Sequence, residues 1–147
     1  MMSNAERGAA APPPRWMPTG DESDLRPVGE WWDVIRTVEV IGLGAIRLLE
    51  AAGCQVGPVI LHPESREPRL YFLVAVGASS NWNEPDTVAL GRTCHVLVPP
   101  MAKTSPPGLH WHKPPSAPRV LSEREPLRRA LIKARREWRG LSPDSPP

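Results

Sequence analysis

Two runs, Leu70-Tyr71-Phe72-Leu73-Val74-Ala75-Val76 and His95-Val96-Leu97-Val98-Pro99-Pro100, decide how this chain of 147 residues is read. Both are short, rich in β-branched and aromatic residues, and bounded by Gly or Pro. That is the pattern of strands and not of helices. The second run must stop at Pro99-Pro100, because neither proline has an N–H to give to a ladder. Between them lie a polar loop, residues 77–86, and Thr87 to Leu90, a short edge strand. After a Pro-rich loop, Leu109-His110-Trp111 forms one more extended piece. Upstream, residues 56–61 read as a strand that returns through the polar turn 62–68 into the Leu70 run, making a hairpin.

Two stretches carry the helical period instead. Val38 to Ala52 places Val38, Ile41, Ala45, Leu48, Leu49 and Ala52 on one face, with Arg47 and Glu50 outside it, and Gly53 is placed to end the helix as its C′ residue. Gly42 and Gly44 weaken the first half, so a start near Leu43 is expected. The last helix begins at Ser122 and Glu125, which have capping-box spacing. Leu127, Leu131, Ala134 and Trp138 form its apolar stripe, and Gly140 is positioned to close it. Trp31 to Ile35 is expected to open the domain as a strand that buries at least one Trp.

The fold class expected is therefore α+β: a small mixed or antiparallel sheet of four or five strands with two helices. Residues 1–27, rich in Ala, Pro and Gly, are expected to be a disordered arm. The α+β domain then spans residues 28–118, a basic amphipathic helix packed on it spans 119–140, and 141–147 is a tail. The sequence is long enough for one hydrophobic core. No apolar run reaches the ~20 residues that span a bilayer. With no apolar leader segment in residues 1–18, a cytoplasmic location, no membrane and reduced Cys54 and Cys94 are expected. Charge is unevenly spread: residues 1–118 carry 10 Lys/Arg and 12 Asp/Glu, whereas residues 119–139 carry 8 and 3. Attraction to polyanions belongs to the last helix.

Leu70-Tyr71-Phe72, His95-Val96-Leu97-Val98-Pro99-Pro100 and Gly108-Leu109-His110-Trp111 together resemble the second half of the bifunctional DNA primase/polymerase N-terminal domain, over about residues 57–112. In that family the corresponding segments read Leu-Tyr-Phe, Tyr-Val-Val-Ala-Pro-Pro and Gly-x-x-Tyr-x-Trp. The resemblance, with the high Pro, Arg and Ala content, implies a small actinobacterial-type member and a place in DNA replication. It also implies nucleotidyl transfer on two divalent cations about 4 Å apart, held by clustered carboxylates. Here those acids are missing. Val59-Ile60-Leu61-His62 ends its strand with no acid, Arg69 stands at the family histidine although Ser65 matches the motif's serine, and Asp86 is out of register with the third acid, expected near Val88. The reading that follows is a non-catalytic, primase–polymerase-like domain that binds nucleic acid or a protein partner and needs no cofactor. The alternatives are an active but diverged polymerase using Glu64, Glu67 or Asp86, and an accessory protein-interaction module whose Leu/Trp stripe docks on another chain.

The candidate nucleic-acid contacts are Arg128, Arg129, Lys133, Arg135 and Arg136 on the last helix, with Arg69, and Trp82 as a stacking residue in the polar loop. Basic side chains meeting phosphates release counterions and give affinity without sequence readout. A solvated face on the helix, and a Trp82 folded back onto the core edge, are the plainer alternatives. His110 and His112 would share one face of a strand, with His95 as a third imidazole; ordinary hydrogen-bonded histidines beside a core Trp111 are favoured over this weak metal set. The spacing of the serines supports no nucleophile elbow, and Gly42-x-Gly44 lacks the rest of a phosphate loop.

Overall fold

The computed structural model describes residues 13–63, 66–116 and 120–141. Its elements are β1 (Asp24–Pro27), β2 (Asp33–Val38), α1 (Glu39–Ala51), β3 (Val59–His62), β4 (Arg69–Val74), β5 (Thr87–Leu90), β6 (His95–Val98), β7 (His110–Lys113) and α2 (Arg124–Leu141). Five strands form one antiparallel sheet in the order β5-β2-β4-β3-β7, and β1 pairs with β6 in a separate antiparallel ribbon. The α+β class with two helices is thus observed, and the sheet is wholly antiparallel. The hairpin expected from residues 56–76 is β3–β4, with Val59 opposite Phe72 and His62 opposite Arg69.

Strand alternation divides the core into two. Ile35, Val59, Leu61, Leu70, Phe72 and Val74 face the helices and pack with Ile41, Ala45, Leu49, Leu127 and Leu131. Val34, Ile60, Leu73 and Trp111 face the other way, against Trp32, Val96, Val98 and two residues of the N-terminal stretch, Trp16 and Met17. The sheet is therefore the middle layer, with helices on one face and the ribbon on part of the other. Of the stripe Leu127, Leu131, Ala134 and Trp138, which the accessory-module alternative docks on another chain, the first three are buried in this core and Trp138 packs half-buried against it.

The disordered arm expected over residues 1–27 is corrected for residues 13–27; residues 1–12 lie outside the described residues. Trp16 and Met17 are buried, and the Trp16 ring meets Trp32 edge-on at 5.6 Å and Trp111 at 6.0 Å. Arg26 Nε donates to the Trp16 carbonyl at 2.8 Å, and β1 pairs with β6 from Asp24–Val98 to Pro27–His95. Three aromatic rings bury enough apolar surface to offset the ordering cost that composition suggested could not be met.

The glycines of α1 also play another part. The helix starts at Glu39, not Leu43, because Gly42 and Gly44 are close-approach sites. A Cβ on Gly42 would lie 2.5 Å from Leu70 Cδ1, and one on Gly44 would lie 3.2 Å from the Ala134 Cβ of α2. The helix ends as expected at Gly53, whose φ is +75°, with Gly53 N–H on the Glu50 carbonyl and Cys54 N–H on the Leu49 carbonyl, a Schellman motif. The capping box at α2 does not form. The Ser122 hydroxyl instead accepts the Gly57 N–H at 2.9 Å, and the Ser122 N–H bonds to the Leu73 carbonyl, tying the helix entry to the sheet. Cys54 and Cys94 are both free thiols. Among the described residues, no helix is long and apolar enough to cross a membrane.

Candidate functional site

The basic helix α2 lies across α1, and its outer face carries the cations. The structure sorts them into two groups. Arg128 is held by Glu84 at 2.9 Å and by Glu125, and Arg135 Nε donates to Asp86 at 2.6 Å. Arg139 reaches the same Asp86 carboxylate at 2.9 Å. Arg129, Lys133 and Arg136 are exposed and, among the described residues, form no ion pair. They stand at i, i+4 and i+7, so they share one stripe of the helix.

Two of the acids that neutralise the first group, Glu84 and Asp86, come from the polar loop 77–86, and the third, Glu125, is on α2 itself. Asp33, buried at the start of β2, anchors that loop: its Oδ2 accepts from Gly77 N–H at 2.9 Å, Ser79 N–H at 3.1 Å and Ser79 Oγ at 2.7 Å. Arg124 then donates to the carbonyls of Ala78 and Ser80. Thr37 Oγ1 bonds to the carbonyl of Asp86, which itself sits at φ 62°. Burial pushes the Asp86 pKa up, but hydrogen bonds and charge from Arg135 and Arg139 outweigh it and hold the carboxyl below its ordinary range. Sequence reasoning did not single out Asp33 or Glu84. An isolated acid in a strand or loop carries no spacing signal, and only the fold brings these beside their donors.

Trp82 is not an open stacking platform. Its Nε1 donates to Thr87 Oγ1 at 2.8 Å, it packs against the helix-side core, and the Arg124 guanidinium lies over its ring at 5.5 Å. Arg69 is set apart from the α2 stripe. It begins β4 and lines a basin of about 330 Å³ with Arg36, Glu67, Asp86, Trp138 and Arg139.

The three histidines do not assemble. β6 pairs with β1 and not with β7, so His95 is on the ribbon while His110 and His112 are on the sheet. His110 is buried with Nδ1 2.8 Å from the Gly108 carbonyl, whereas His112 is exposed beside a bulge at Val59/Ile60. Partial burial, with the charges of Lys113 and His110, lowers the His112 pKa. Among the described residues, no group of three or more His, Cys, Asp or Glu could hold a metal ion. Trp111, between the two histidines, is fully buried and its Nε1 donates to the Pro99 carbonyl at 3.0 Å. The Pro-Pro strand exit thus supplies an acceptor to the core.

No family model, curated protein or solved structure matches this chain.

Proposed function

We propose that this is a non-catalytic binding domain, primase–polymerase-like in its strand framework, that holds nucleic acid through α2. The observation that carries the reading is the stripe Arg129, Lys133 and Arg136: three exposed cations on one helix face that, among the described residues, form no ion pair. Such a stripe can follow a phosphate backbone without reading bases. Arg128 and Arg135 would have to break ion pairs with Glu84 and Asp86 to take part. They are therefore secondary contacts, and Trp82 contributes no stacking.

The diverged-polymerase alternative loses support at Asp86, whose carboxylate is committed to two guanidiniums. Glu64 lies outside the described residues. A protein partner is the second reading, favoured by a groove of about 270 Å³ between the helices, where Leu48, Leu49 and Ala130 form an apolar floor and Arg129 and Lys133 a basic rim. The two readings separate in one binding assay. Labelled single- and double-stranded DNA of unrelated sequences should bind wild type at about 50 mM salt. A triple variant, Arg129→Glu with Lys133→Glu and Arg136→Glu, should not bind either. Equal binding by wild type and the triple variant contradicts the proposal.

A further inference from the structure

On the sheet face turned away from the helices, the ribbon covers only part of the surface, and beside it opens a cleft of about 510 Å³. Its two walls differ in chemistry. The sheet wall carries Arg36 and Tyr71, directly opposed on β2 and β4, with His62 at the end of β3. The ribbon wall carries Leu25 and Leu97, opposed in register on β1 and β6 and 60% and 47% exposed, with His95 two residues before Leu97.

No Asp or Glu among the described residues lines this cleft. Among the described residues, the side chains of Arg36, Tyr71, His62 and His95 make no hydrogen bond or ion pair. A guanidinium, a phenol and two imidazoles therefore border one opening with their donors unspent, Arg36 also bordering the basin it shares with Glu67 and Asp86. Such a set attracts an anion, and a guanidinium can grip one bidentately. A tetrahedral phosphate has more acceptor oxygens for these donors than a carboxylate has. The opposed leucines add an apolar surface whose removal from water favours binding. Among the described residues, the lining also lacks Asn, Gln, Asp and Glu, the side chains that most often read the hydrogen-bonding edges of adenine and cytosine. The volume is in the usual range for small-ligand sites.

We propose that this cleft binds a phosphate monoester carried on a compact apolar body, with the phosphate on Arg36 and Tyr71 and the body against Leu25 and Leu97. The site is distinct from the α2 stripe and does not depend on the nucleic-acid reading. The probe is 1-naphthyl phosphate, followed by calorimetry with the full chain. Inorganic phosphate and 1-naphthol should each bind at least about tenfold more weakly, since each engages one wall alone. Arg36→Met should weaken binding by about tenfold or more, and Tyr71→Phe by a few-fold. Arg129→Glu should leave it unchanged. Tyr71→Phe removes a single oxygen, so its result decides the matter should Arg36→Met unfold. No binding up to about 1 mM probe overturns the proposal. So does 1-naphthol binding as tightly as the phosphate, or unchanged affinity in Tyr71→Phe. Tighter binding of 1-naphthoate or of adenosine monophosphate overturns the assignment of ligand class.

Discussion

Asp33 and Asp86 show how single carboxylates fix the loop that governs the basic helix. Asp33 is 3% exposed and accepts three hydrogen bonds from Gly77 and Ser79. Asp33→Ala leaves those donors without their acceptor and should cost about 2–4 kcal/mol in urea unfolding. Asp86 acts through charge. Its folded pKa is depressed below 3.8, so its contribution is present above that value and is lost as pH falls through the lower folded pKa. Asp86→Asn should therefore lower the melting temperature at neutral pH, and the gap from wild type should close as acidity increases below about pH 3.8. The same substitution frees Arg135 and Arg139, so DNA affinity should rise. Unchanged affinity would show that these two arginines stay off the phosphates.

At the scale of elements, the helices and the larger sheet were legible because each has one apolar face in the right period. The period predicted α1, and Gly53 ended it where a left-handed residue was needed. What the pattern could not show was why Gly42 lies inside a helix. Its lack of a Cβ lets α1 approach β4, so Gly42→Ala should destabilise the fold by about 1–3 kcal/mol by thermal melting, despite alanine's better helix propensity. A more stable variant would contradict this close packing. The ribbon strand β1 was missed because Asp24-Leu25-Arg26-Pro27 is four residues long and holds no β-branched or aromatic residue. Its order comes from β6 and from the buried Trp16. The capping box failed for a related reason. Spacing alone cannot reveal that the Ser122 hydroxyl serves Gly57 across the fold.

For the whole molecule, charge composition pointed to the last helix but could not say which cations remain available. That division depends on the 77–86 loop folding under α2, a long-range event with no local signature. The stripe Arg129, Lys133 and Arg136 is what remains, and the central claim is that it binds phosphates. The most direct measurement is the salt dependence of DNA affinity for wild type and for the Arg129→Glu, Lys133→Glu, Arg136→Glu variant. Three phosphate contacts predict a log–log slope near −2.7 for duplex DNA, about the same for unrelated sequences, and a loss of binding in the variant with thermal stability nearly unchanged. Absence of salt-sensitive binding by wild type at about 50 mM salt, or a slope that the variant retains, would contradict it.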